Sequence, residues 1–311
     1  MTTATQERIA RAPKGPDLSK SVVLVRLEQH SFGNSKKLKQ DQYEVDGGDK
    51  SMTRANRRLL DSPELEDINS RMGALRRYVQ DSSLPFPIAG VYMVPTQKVE
   101  DLVFKMDELI GKIDEAVEKF MSVYRTREKE AQDRNPKLYN PLDYPPEKVV
   151  RTKFACYYQI VSIGAPEQQL SAQRVDPSIL RKARESSERL WVDAAEMTRQ
   201  MQSQIMLELV ERLRKNLTDD DKTGKPKRFT NATLDDLMSF MHDFESAANV
   251  TEYSQLAKLV AEGKELLNGT TNQQLKDSAK LRADIKNSFA AIEKALVPMV
   301  GERKVRRSEE F

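Results

Sequence analysis

The stretch TQKVEDLVFKMDELIGKIDEAVEKFMSVYRTREKEA, residues 96–131, decides how the rest of the chain is read. Val99, Met106, Ile113 and Phe120 recur every seven residues. Leu102, Leu109, Ala116 and Val123 fill the place three residues on, and Val103, Ile110, Val117 and Tyr124 the place after that. This spacing predicts an amphipathic helix, capped by Thr96, whose apolar stripe is wider than a two-stranded seam. Val99, Leu102, Val103, Met106, Ile110, Ile113 and Phe120 are the candidate packing or interface stripe. At about 1.5 Å per residue the helix would be roughly 50 Å long, so it needs partners of similar length.

Downstream the chain supplies one. Asp176-Pro177 places a cap and a first-turn proline together, and a helical pattern runs from there to Leu217. We expect these two long helices to pack side by side. A third helical region begins near Thr233 and is interrupted near Asn249-Val250-Thr251. It resumes through Leu267 to Asn268-Gly269, and a last helix covers Thr271 to Val300. The charged run Asp219–Arg228 reads as an exposed turn.

Strand signals sit upstream. SVVLVRL (Ser21–Leu27) and Gly90–Val94 are β-branched, and Val149–Ile163 alternates in part, with Phe154, Cys156, Tyr158 and Ile160 on one side. Ser31–Lys50 reads as a hairpin-like excursion with a second strand through Tyr43 and Val45. Ser51–Gln80 reads as a helix capped by Ser51 or Thr53 and broken or kinked at Pro63. The expected fold is α+β, mostly α: a small three- to four-stranded sheet platform (residues 21–165) that includes the helix 96–131, joined to an elongated helical arm (176–300). Residues 1–20 form a flexible leader and 301–311 a charged tail.

Composition narrows the function classes. Of 311 residues, 32% are charged and only 6% aromatic, a balance suited to solvated helices more than to a thick core. The net charge is +3, so a nucleic-acid surface would have to be a local patch. One cysteine, Cys156, rules out an internal disulfide and fits a reducing compartment. No window resembles a signal peptide or a membrane span. The expected setting is the cytoplasm of a bacterial host.

Groups for catalysis are few. His30 and His242 are far apart in sequence, and one cysteine with two scattered histidines cannot build a standard zinc site. Cys156 lies among apolar and aromatic residues, where a buried thiol is the commoner role than a nucleophile. Gly47-Gly48 is not followed by Gly-Lys-Ser/Thr, so no phosphate-cradling loop appears. The expectation is a non-enzyme with no cofactor, metal or catalytic residue. Methionines 197, 201 and 206, or 238 and 241, could offer an adaptable groove, though core filling at helical spacing is the blander explanation.

Basic clusters motivate an alternative. Arg54, Arg57 and Arg58 fall within one helical turn on this reading, with Arg76 and Arg77 further along. Lys148, Arg151 and Lys153 lead into a strand bearing Tyr157 and Tyr158. Cations interleaved with aromatics could track phosphates and stack bases of a single strand. Lysines and arginines also decorate any chain this charged, and the tyrosines could simply pack inside.

LPFPIAGVYMVPTQKVEDLVFKMDELIGKIDEAVEKFMSVY (Leu84–Tyr124), YPPEKVVRTKFACYYQIVSI (Tyr144–Ile163) and the long Trp191-bearing helix together carry a resemblance. Across roughly residues 20–270 the chain resembles a family of phage and plasmid proteins known only as a domain of unknown function. The resemblance implies a mobile-element origin and genes placed near AAA+ ATPases of the MoxR type, hence an adaptor for such a machine. It supplies no catalytic residues. The expected function is therefore a phage or plasmid scaffold or adaptor acting by protein–protein contact and self-associating as a homo-oligomer, with an AAA+ ATPase or host protein as partner. The alternative is a single-stranded nucleic-acid binding or annealing protein.

Overall fold

The computed structural model describes residues 18–163, 176–218 and 231–300. It is 67% helical and 11% strand, which makes the fold α+β and mostly α, as expected. In chain order the regular elements are α1 (Leu18–Ser21), β1 (Val22–His30), β2 (Ser35–Lys37), β3 (Asn56–Arg58), α2 (Pro63–Asp81), β4 (Leu84–Pro85) and β5 (Val91–Pro95). They continue with α3 (Val99–Arg134), α4 (Glu147–Arg151), β6 (Ala155–Val161), α5 (Pro177–Asn216), α6 (Asn231–Asp243), α7 (Ser254–Leu267), α8 (Asn272–Asp277) and α9 (Ala279–Leu296). Four strands form one sheet in the order β4-β5-β1-β6, and β2 pairs with β3 in a separate antiparallel ribbon.

Contacts divide the chain into two units that interleave in sequence. One holds residues 1–24, 83–99 and 161–311, the other 25–82 and 100–160. Residues 83–99 group with the helices downstream.

In the first unit α5 packs on α6 and α9. Met206, Val210 and Leu213 of α5 share a core with Leu237 and Met241, Leu256 and Val260, and Phe289 and Ile292. Gly263 lets α7 approach closely, since a Cβ there would lie 3.1 Å from the Met241 sulfur. Arg282, only 5% exposed, donates to the carbonyls of Leu275 and Lys276 at 2.9 and 3.0 Å and so satisfies the end of α8. A second cluster gathers Leu18, Val22, Leu84, Phe86, Met93, Ala194 and Val250, with the Phe86 and Trp191 rings edge to face at 5.4 Å. Between the two clusters α5 presents buried Thr198, Gln202 and Ser203. There the π-helical turn Phe244–Ala248 gives way to the Asn249–Thr251 break, and Gln202 Nε2 donates to the Ala248 carbonyl at 2.7 Å. Gln202 thus satisfies a carbonyl of the irregular backbone at that break.

In the second unit α3 meets a ring cluster. Phe120 lies 6.5 Å from Phe32, 5.8 Å from Tyr124 and 5.5 Å from Phe154 between ring centres. Tyr124, fully buried, donates its hydroxyl to the Pro145 carbonyl at 2.9 Å, and Tyr144 donates to the Leu59 carbonyl at 3.0 Å. A two-pronged Arg127–Glu64 pair, at 2.8 and 3.2 Å, ties α3 to the first turn of α2.

Within its own unit α5 packs on α6 and α9, and the Phe120 end of α3 packs on the rings of its own unit. Several expectations give way. Pro63 does not break a helix but opens one, at the first helical position after the Ser62 cap. Residues 51–58 are therefore a 3-10 turn and a strand, and Ser51 and Thr53 cap no α-helix. The strand expected through Tyr43 and Val45 is β3 instead, with Ser35 opposite Arg58. Residues 149–163 split into the helical turn α4 and the strand β6. Thr96 opens a 3-10 turn, its hydroxyl donating to the Ser21 carbonyl at 3.0 Å, so it does not cap α3. The last helix divides at Ser278, which accepts from the Leu281 amide and caps α9. Leu18 is buried, so the leader ends earlier than residue 20. The rest of it, the 219–228 turn and the 301–311 tail lie outside the described residues.

Two measurements check this packing. Phe289→Ala removes a fully buried ring and should cost about 3–5 kcal/mol, read as a lower urea midpoint for the helical unit. The Arg127 guanidinium beside Glu64 holds that carboxyl down to about 2. A depressed carboxyl stabilises the fold above its unfolded pKa and loses this as pH falls through the folded one. Glu64→Gln should therefore lower the melting temperature at pH 7, with the gap to wild type closing between about pH 4.5 and pH 2.

Candidate binding surface

The stripe read from the sequence is mostly interior. Leu102, Met106, Ile113 and Phe120 are buried, and Val99, Val103 and Ile110 are partly so. These residues build the fold and leave little apolar surface for a partner. Met206 and Met241 are core residues as well.

The eight basic residues are all in the second unit, and the structure treats them unequally. Arg57 and Arg58 lie in β3, where successive side chains point to opposite faces, so they do not share a helical turn with Arg54. Arg57 pairs with Asp143, which Lys36 also approaches at 3.6 Å. Arg58 pairs with Asp61 at 3.2 Å and Glu66 at 3.1 Å. Arg76 donates twice to the Gln29 side-chain oxygen, at 3.0 and 3.2 Å. Arg151 stands in α4, not a strand, and pairs with Glu118, holding that carboxyl below its usual range. Arg54, Arg77, Lys148 and Lys153 are exposed and make no ion pair among the described residues. Carboxylates thus already occupy Arg57, Arg58 and Arg151.

A cleft of about 310 Å³ lies in the same unit. Met72, Ile113, Val117 and Phe154 supply its apolar lining, Asp114 and the Arg151–Glu118 pair its polar part, and Cys156 opens onto it. The thiol sits 3.8 Å from Gln29 Nε2, and burial raises its pKa. His30 alternates to the other face of β1 from Gln29, beside Glu28 at 3.8 Å. Cys156 therefore has no imidazole base at hand, and its surroundings favour the neutral thiol. Among the described residues no three His, Cys, Asp or Glu side chains gather as a metal set.

Sequence reasoning passed over the side chains that stand open. Phe104, on α3 but off its stripe, is 76% exposed, and Ile160 on β6 is 63% exposed. Tyr157, already singled out in the sequence as an aromatic beside the basic residues, is also exposed. Leu142 and Met52 protrude as well, from the 3-10 turns Pro141–Asp143 and Lys50–Met52. The signal for Phe104 was present: it stands three and four residues from the carboxylates Glu100, Asp101, Asp107 and Glu108, the spacing of one helical face. Ile160 gave less, because its alternation partners Cys156 and Tyr158 face α3 and are partly covered. Tyr158 donates to Asp107, which with burial raises the phenol's pKa.

A family model described as a protein of unknown function (DUF3150) matches residues 19–234. No curated protein and no solved structure matches the chain. The environment of Cys156 leads to one expectation: at pH 7.5 iodoacetamide should alkylate it several-fold more slowly than free cysteine, and urea should abolish the difference. Alkylation faster than free cysteine would mean an activated thiol.

Proposed function

The chain belongs to the DUF3150 family of unknown function, and from that premise we propose that it is a scaffold or adaptor acting by protein–protein contact and not by catalysis. The supporting observation is that large apolar side chains stand open on regular elements, Phe104 on a long helix and Ile160 on a strand. A helix and a strand present such groups in fixed positions, as a recognition surface needs. The resemblance to phage and plasmid proteins supports a mobile-element setting in a bacterial cytoplasm. An AAA+ ATPase, a host protein or a further copy of the chain is the candidate partner class. The nucleic-acid reading has less behind it, because Arg57, Arg58 and Arg151 are matched by carboxylates.

A photo-reactive phenylalanine analogue at position 104, in the full chain expressed in its native host, tests this. It should give one or a few discrete protein adducts that are absent when the analogue replaces the exposed Lys129. The same smear at both positions, or no adduct at 104, contradicts the proposal. Salt-sensitive retention of labelled single-stranded DNA, lost in Lys148→Glu/Lys153→Glu, would favour the alternative.

A further inference from the structure

The strand β6 lies at the end of its sheet, and among the described residues no strand pairs with its outer edge. Its sequence, ACYYQIV, holds no charge and no proline. Soluble proteins usually blunt an open edge with lysine, proline or a bulge, so an uncharged edge is suited to receiving a strand. One face of β6 descends along α3. Arg151, just before it, meets Glu118, Phe154 meets Phe120, Cys156 shares the cleft with Asp114, and Tyr158 donates to Asp107. The next side chain on that face is Ile160, which the same progression brings level with the turn of α3 around Phe104. The open edge therefore ends at two exposed apolar groups.

Charge says what fits there. Residues one turn away from Phe104 on either side are Glu100, Asp101, Asp107 and Glu108, all carboxylates and all exposed. Among the described residues Glu108 has lysine partners, Lys105 and Lys112, and Asp107 accepts from Tyr158. Glu100 and Asp101 make no ion pair among the described residues. A phenyl ring in an acidic ring attracts a cation to its face and to its rim together. At the other end of the strand Lys153 is exposed and makes no ion pair among the described residues, so the field along the edge has a direction.

We infer that the β6 edge and the Phe104 turn form a docking site for an extended, basic segment of a partner protein. Such a segment adds to β6 as a strand, places alternate apolar residues beside Ile160, and sets its lysines or arginines over Phe104 and the carboxylates Glu100 and Asp101. This inference rests on the contact reading above and names its partner's chemistry.

Fluorescence anisotropy on the full-length protein tests it. The probes are a labelled peptide of about a dozen residues alternating Lys or Arg with Leu or Tyr, and its counterpart with Glu in place of Lys and Arg. The basic peptide should bind, and weaken roughly tenfold between low and moderate salt. Phe104→Ala and Glu100→Lys/Asp101→Lys should each weaken it about tenfold or more, with circular dichroism unchanged because all three side chains are exposed. Equal binding of the acidic peptide, binding indifferent to these substitutions, or no binding of the basic peptide overturns the inference. If position 104 still cross-links a protein when the basic peptide fails, the contact reading stands and only the partner's chemistry falls. A dimer by light scattering that Phe104→Ala dissolves would make the occupant a second copy, and that also overturns the inference.

Discussion

A helix of 36 residues with one apolar side has to lose that side from water, and much of the second unit follows from this constraint. At roughly 25 cal/mol per Å² of apolar surface, leaving the stripe wet would outweigh any helix propensity in the segment. Phe120 and Tyr124 show how it is met. Phe32 and Phe154, from distant parts of the chain, close on them ring to ring, and the Tyr124 hydroxyl finds the Pro145 carbonyl instead of water. The irregular run from Asn135 to Pro146 is thus fixed by the helix it follows.

What is left outside this core gives the functional reading its content. Each turn of α3 divides between buried stripe and charged face, and Phe104 belongs to neither pattern. It sits with carboxylates on the solvated side, where an aromatic ring adds nothing to folding. The same contrast marks β6, whose Cys156 and Tyr158 lie against α3 while Ile160 passes beyond that cover. A cysteine in a half-buried cleft, by comparison, is explained by packing. Burial raises the pKa of its thiol, Asp114 nearby repels a thiolate, and Gln29 is its hydrogen-bond partner.

The parts of the fold that were legible in the sequence are those where local chemistry and tertiary packing agree. Asp176-Pro177 opens α5 as read, with the Asp176 side chain accepting from the Ser178 amide. A helix begins at Thr271 as read, and the structure adds its reciprocal cap with Gln274. The break near Asn249 is present, with Glu252 in the left-handed region at φ 46°. Misreadings came where one residue type serves two purposes. Proline ends helices and also starts them, and only the Ser62 hydroxyl at the Leu65 amide decides for Pro63. Residues 147–151 carry β-branched valines, yet one turn of helix buries Val150 fully, so tertiary packing overrides propensity. The basic residues were visible as clusters, but their partners Asp143, Glu66 and Glu118 lie far along the chain or on another element, and linear spacing does not register them.

Hydrogen exchange resolved to single amides across α3 and β6 of the full chain tests the central claim most directly. That claim is that α3 is held by its own unit while one edge of β6 is open. The account predicts strong protection from Leu102 to Tyr124 and alternating fast and slow amides along Ala155–Val161, the fast ones on the unpaired edge. Uniformly fast exchange through α3, or uniform protection of both edges of β6, would contradict it.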